Sequence, residues 1–325
     1  MKKKRTQTRK RLILFGKILV VCLLLIFLLN SGRLDFVLIL KAYKNPTPLL
    51  LGIFFCFLAL LSPIFRWLTL SRLQMLPLSG LDAVRLTMIG YFFNIFIPGA
   101  TGGDVIRAAY TIRDCPERRP HALTVIFVDR GLGLHALLLL VMIVFLFRAP
   151  LFYSYPNLRI WILCIAMIFI GGTLMAFLLV FVKINSLMMP FLGRIIGGVK
   201  AWQEAIKLYR IQPGMVGIAY LFSILSAFFN VLAIHFMMLA VGSNPSAVDS
   251  FFVAPFAILA NALPFTPGGI GVAESASSWF YEVIGVAGGA NGMLLTRVFL
   301  VVFALFGLPF FLMNSQVRAL EYPSK

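Results

Sequence analysis

The sequence predicts an all-α polytopic membrane protein: an inverted-topology repeat with about six full spans plus two re-entrant broken-helix hairpins, about eight hydrophobic segments in all. Three observations predict it. Of 325 residues, 61% are hydrophobic and 12% charged, with a mean hydropathy of +0.96, more apolar surface than a soluble domain can hide. The lysines and arginines behind the net charge of +18 sit at the ends of apolar runs. There they set topology and meet anionic headgroups, which argues against nucleic acid as a partner. The third observation is a break that appears once in each half. Asn94, Pro98, Gly102, Gly103 and Asp104 interrupt one apolar stretch; Asn261, Pro264, Pro267, Gly268, Gly269 and Gly271 interrupt another. Placing Gly102-Gly103 on Gly268-Gly269 also brings Pro98 onto Pro264. Proline removes a backbone donor and glycine tolerates non-helical angles, so both stretches read as broken helices. In lipid, such backbone survives only when buried in protein or hydrated in a cavity, and matched breaks point to a transporter's central site.

The elements follow in order. Residues 12–29, behind a basic N-terminal cluster, read as a retained first helix leaving the cytoplasm rather than a cleaved signal. Residues 33–44 read as an external segment lying in the interface. A second helix, about 49–70, returns to a loop holding Arg72 and Arg85. Residues 83–112 read as a hairpin dipping from the cytoplasm, its tip near 98–103, because Arg107, Arg113, Arg118 and Arg119 demand the side it came from. Helices follow at about 122–147 and 158–182. Ile195, Ile196, Val199, Trp202 and Ile206 then recur at helical spacing opposite Arg194, Lys200, Glu204 and Lys207, a helix on the inner surface within 186–210. A fifth helix, 215–241, precedes an outer hairpin, 248–284, with its tip near 264–271; a sixth spans about 293–313. The whole chain, 1–325, reads as one integral-membrane domain, with repeats at about 12–147 and 158–313. The expected location is a prokaryotic cytoplasmic membrane, with the N-terminus cytoplasmic.

Chemistry concentrates at the breaks. Exposed N–H groups at a glycine tip and the following half-helix can receive an anionic headgroup; the competing reading is close helix packing. Asp104 and Arg107 share a helix face, as an ion pair or a gate with Arg107 on a phosphate. Asp129-Arg130 lies inside an apolar helix, where ionisable residues are costly; the pair reads as closing a polar network with Asp104 and Arg107 or as a structural pair. Glu274, behind the second break and without an adjacent basic partner, reads as a protonatable or substrate-contacting carboxylate, or as a stabiliser of the helix terminus. Asn94 and Asn261 flank the breaks and read as caps for exposed backbone or as ligand contacts, and Arg297 reads as an interfacial anchor. Cys22, Cys56 and Cys164 lie in apolar runs and Cys115 in a basic loop, without Cys-x-x-Cys spacing. The histidines, His121, His135 and His235, are scattered, so neither a metal site nor a cofactor is expected. No phosphate loop, zinc motif or nucleophile elbow occurs, so no catalytic residue is assigned and the chain is not read as an enzyme.

Asn94, Pro98, Gly102, Gly103, Asp104 and Arg107, then Asp129 and Arg130, then Pro267, Gly268, Gly269, Gly271 and Glu274 resemble the pattern of the lysylphosphatidylglycerol synthase transmembrane family, also called flippase-like or UPF0104 proteins. The resemblance covers nearly the whole chain. It implies movement of a lipid across the bilayer, with these residues as its binding and transport positions; Asn261 joins them from its place at the second break. The soluble aminoacyl-transferase of bifunctional relatives has no counterpart before Lys325, so lipid lysylation is not expected. The reading is therefore a translocator for an anionic phospholipid or polyprenyl-phosphate-linked lipid. Its competitors are a membrane-embedded enzyme of lipid or glycolipid assembly using Asp104, Asp129 or Glu274, and an assembly subunit that recruits a separate lipid-modifying or glycan-assembly enzyme.

Overall fold

A computed structural model describes residues 40–96, 102–147, 156–181, 199–262, 266 and 269–312. The helix expected at 12–29, most of the 33–44 segment, the first part of the inner surface helix, and Pro98, Pro264, Pro267 and Gly268 lie outside these residues. The described chain is helical, without a strand: α1 (Pro46–Leu73), α2 (Gly80–Asn94), α3 (Gly102–Asp114), a single 3₁₀ turn (Pro116–Arg118), α4 (Arg119–Phe147), α5 (Pro156–Phe181), α6 (Val199–Ile211), α7 (Pro213–Ala240), α8 (Ala247–Ala262), α9 (Val272–Val283), α10 (Gly289–Leu305) and α11 (Gly307–Leu312). Among the described residues, four stretches are long and apolar enough to cross a membrane: Pro46–Leu73, Pro116–Leu146, Pro213–Ala240 and Gly289–Leu312. The protein is a polytopic all-α membrane protein.

Helices α1 and α7 form the central pair, and they run antiparallel. Asn45 Nδ2 donates to the Ala240 carbonyl near one end, and Arg66 Nη1 to Ser223 Oγ near the other. Gly52 lies against Met237, and Phe55 and Phe65 stack on Phe236 and Phe222. Pro63 inside α1 cannot donate to the Ala59 carbonyl, a loss that lipid cannot repair. Ser226 of α7 supplies the missing donor at 3.1 Å, and Tyr91 of α2 donates to the neighbouring Leu60 carbonyl at 2.9 Å. The helix break is thus satisfied from two other helices.

At the two places read as hairpins, short helices pack in pairs, α2 on α3 and α8 on α9. At about 1.5 Å per residue, none of α2, α3, α8 or α9 covers a hydrocarbon core of about 30 Å. In the first, Gly103 packs on Gly90; in the second, Phe256 stacks on Phe280 with ring centroids 4.6 Å apart. Each first arm opens with the same device. Ser79 and Asp82 form a reciprocal capping box, and Ser246 and Asp249 exchange the same two bonds at 3.1 Å, satisfying helix donors that the first turn leaves orphaned.

One sequence offset relates much of the two halves. The shift that carries Pro46 onto Pro213 also carries Leu73 onto Ala240, Ser79 onto Ser246, Asp82 onto Asp249 and Asn94 onto Asn261. This register is one residue longer than the register that superposes the two Gly-Gly pairs, because the second tip is one residue shorter. Packing between the halves is reciprocal as well. Helix α1 touches α10 and α7 touches α4; α2 touches α10 and α11, while α8 touches α4.

The last span is not one straight helix. It turns at Phe306 between α10 and α11, and Gly307 lets α11 close on α2, where a Cβ would run into the Met88 carbonyl. Arg72 and Arg85, expected in a loop, lie on helices, Arg72 in the last turn of α1 and Arg85 on α2, 3.6 Å from Asp82.

Candidate functional site

Each hairpin closes on a buried arginine–carboxylate cluster. At the first, Asn94 ends α2 and its Oδ1 accepts the Gly103 N–H at 2.6 Å, capping the glycine-led start of α3 across the tip. A first turn further on, α3 presents Asp104 and Arg107 inward, both buried. Arg107 donates to Asp104 and, at 3.3 Å, to Asp129 Oδ2 of α4. Its guanidinium lies over the Trp67 ring, 4.4 Å from the centroid, a geometry favourable to a desolvated cation.

Arg66 of α1 completes the network. Its Nε and Nη2 fork onto the two oxygens of Asp129 at 2.6 and 3.1 Å, while Nη1 reaches Ser223 of α7. Gly133, one turn beyond Asp129, leaves the room: a Cβ there would stand 3.0 Å from Arg66 Nη1. Arg130 closes the other end by donating to Asp104. The order is Arg66, Asp129, Arg107, Asp104, Arg130: three cations and two anions drawn from α1, α3 and α4, an arrangement with a formal charge of +1. Buried charges are tolerated only when paired and hydrogen-bonded this fully.

The second hairpin carries a smaller cluster. Glu274, in the first turn of α9, accepts the Gly271 N–H at 2.8 Å and Nε of Arg297 from α10. Arg297 Nη2 also donates to Asn261 Oδ1 and to the Gly269 carbonyl, each at 3.2 Å. Gly269 has φ +71 and Gly271 φ +78, left-handed values that glycine takes without strain. At Gly269 a side chain would also strike the Asn261 amide. Two expectations are corrected here. Glu274 has a basic partner, brought from across the tip by α10. Arg297 is no surface anchor but a buried residue, its side chain 10% exposed, tying three parts of the second tip together.

The structure thus gathers Asn94, Gly103, Asp104, Arg107, Asp129 and Arg130 at one hairpin, and Asn261, Gly269, Gly271 and Glu274 at the other. Gly102 is buried at the start of α3. Arg66, Trp67, Ser223 and Arg297 were missed by sequence reasoning. Arg297 had a signal: the offset that carries Asn94 to Asn261 carries Arg130 to Arg297 and Arg107 to Glu274. The clusters are equivalent in place but not in charge, since the second pairs one cation with one anion. Helix α10, which carries Arg297, also packs near the first tip: Ile95 shares an apolar cluster with Val301 and Ala304.

Elsewhere, His135 is held by Tyr220 and Thr173 and His235 by Ser250. No group of three or more metal-ligating side chains occurs among the described residues. No curated protein and no solved structure matches the chain. The family model for the lysylphosphatidylglycerol synthase TM region matches residues 14–309; the chain therefore belongs to that family of membrane domains, with a function related to membrane lipid.

Proposed function

We propose that this protein is a translocator that moves a phosphate-bearing lipid, an anionic phospholipid or a polyprenyl-phosphate-linked lipid, between bilayer leaflets. The observation that carries the proposal is the pair of equivalent hairpins, each closing a glycine tip on a buried arginine–carboxylate cluster, in halves whose central helices run antiparallel. An inverted repeat of this kind has two related conformations of similar energy, one open toward each side. The first hairpin would then enter from the cytoplasmic side and the second from the opposite side. Arg130 and Arg297 occupy the same place in the two halves, yet their side chains are 41% and 10% exposed. That asymmetry suits one state of an alternating pair, with the first cluster open and the second closed.

In this state Arg107 is engaged by two carboxylates and a ring, so it acts as a latch. A phosphate arriving at Arg130 would compete for Asp104's partner and loosen the Asp104–Arg107 pair. On the other side, Glu274 holds Arg297 until the headgroup takes its place.

The test is reconstitution in liposomes containing labelled polyprenyl phosphate or phosphatidylglycerol, with leaflet exposure and covalent identity followed together. Protein-dependent exchange of unchanged lipid is expected, reduced at least tenfold in Glu274→Gln, which leaves the Arg297 charge without its counter-ion. A chemically altered lipid would instead mark an enzyme. Absence of exchange with either lipid, together with a co-purifying synthase, would mark an assembly subunit and end the translocator reading.

A further inference from the structure

The charged network of the first hairpin has one accessible end, and that end opens onto an apolar surface. Side chains of Arg66, Arg107, Asp104 and Asp129 are 9%, 8%, 10% and 1% exposed, whereas that of Arg130 is 41% exposed. Along α4, Leu123, Phe127, Arg130 and Leu134 fall at spacings of four, three and four, one stripe of a helix with 3.6 residues per turn. Leu123, Phe127 and Leu134 are 41%, 72% and 45% exposed, and Val105, next to Asp104 on α3, is 62% exposed. Such a face on a span is normally in contact with lipid tails. Arg130 stands in its midst near the centre of the Pro116–Leu146 span, about 16 Å along the helix from Arg119 at 1.5 Å per residue. An arginine stem does not cross that distance to the surface.

Arg297, at the equivalent place in the second half, is covered and bound among Glu274, Asn261 and the Gly269 carbonyl. An ionisable side chain left at the bilayer-facing middle of a span is costly and marks function. We infer that the outer face of α3 and α4 is a lateral docking site for a lipid from the bilayer. Its phosphate is held by the Arg130 guanidinium, and its acyl or prenyl chains lie along Phe127, Leu123 and Val105. Charge complementarity names the occupant: the five linked side chains carry a formal +1, which a monoanionic phosphodiester neutralises and a zwitterionic headgroup does not. Guanidinium is the fork that recognises phosphate oxygens. The lipid thus reaches the network sideways, with its chains never leaving hydrocarbon. The inference rests on the phosphate-lipid reading above, and adds the route and the docking residue.

The test uses a photo-crosslinking benzoylphenylalanine at Phe127, with Leu50 of α1, 65% exposed, as a reference position. The full chain is reconstituted in vesicles of phosphatidylcholine with one-tenth phosphatidylglycerol, either lipid being radiolabelled in turn. At Phe127, crosslinking to phosphatidylglycerol is expected at five times or more its share of the bilayer; at Leu50 it follows the share. Arg130→Gln is expected to bring Phe127 down to the Leu50 ratio, and Arg130→Lys to keep part of the enrichment. The enrichment in the unsubstituted network needs no variant. A Phe127 ratio equal to the bulk share overturns the docking site even if leaflet exchange is intact. Enrichment at Phe127, when neither phosphatidylglycerol nor polyprenyl phosphate is exchanged between leaflets, leaves the site standing and counts against the translocator reading. Enrichment unchanged in Arg130→Gln removes the role of the arginine.

Discussion

Asp129→Ala is expected to destabilise the folded protein by about 3–5 kcal/mol, the cost of breaking a buried ion pair by removing one partner. The large effect follows from position. Asp129 is 1% exposed and is the one carboxylate shared by Arg66 and Arg107, which come from α1 and α3. Without it, two buried guanidinium groups lose their shared counter-ion, and among the described residues Ser223, Asp104 and the Trp67 ring are left to hold them. Asp129→Asn keeps the shape and one acceptor, and is expected to lie between the alanine variant and the native protein. Arg66→Met combined with Asp129→Leu removes both charges, and should recover stability relative to Asp129→Ala, because an apolar replacement of a buried pair is often neutral. Thermal unfolding in detergent, followed by loss of the monodisperse peak, measures all three. An Asp129→Ala melting curve coincident with the native one would mean that the network bears no load. Additive costs for Arg66→Met and Asp129→Leu would mean that the pair is not coupled.

How far the site could be read beforehand depended on sequence distance. Proline and glycine act on the backbone locally, so the two breaks and their matched order were visible at once. The α6 helix itself was legible from its period, but within it the residues that the fold buries are Ala205 and Tyr209, not Ile206 of the expected apolar stripe. Arg66 was hidden because a lone arginine late in an apolar helix reads as an anchor near the membrane surface. Its partner lies in another helix, and nothing local says which way it faces. Arg297 was hidden for a different reason. The halves were superposed on the conspicuous Gly-Gly pairs, whose tips differ by one residue. Superposed instead on Ser79 and Ser246, Asp82 and Asp249, Asn94 and Asn261, the arginines Arg130 and Arg297 coincide. The quieter capping residues held the better register because helices conserve length where tips do not. The loss of Asp104 and Asp129 equivalents from the second cluster is also legible in that register, which places Gly271 and Thr296 at those positions.

Gly103→Ala is expected to abolish lipid movement and to cost about 1–3 kcal/mol of stability, the usual range for overpacking. A Cβ on Gly103 would run into the Gly90 carbonyl, with the Gly90 carbonyl carbon 2.6 Å and its Cα 2.8 Å away. These are backbone atoms, so no side chain can swing aside, and relief requires the arms of the first hairpin to part. Parting them stretches the 2.6 Å bond from Gly103 N–H to Asn94 and shifts Asp104, the next residue, away from Arg130. A single methyl group therefore displaces the cap, the hairpin and the open end of the charged network together. Gly131→Ala is the matched control, since its Cβ would meet nothing within 4 Å. In the interior of α4 it should be neutral or stabilising by about 0.5–1 kcal/mol, through helix propensity. The two alanine variants differ in place and not in chemistry. If both melt and exchange lipid alike, the close approach of α2 and α3 is not what holds the tip, and the account of the first hairpin fails. If only Gly103→Ala loses exchange while melting within a few degrees of the native protein, the hairpin's close contact serves movement of the lipid more than it serves the fold.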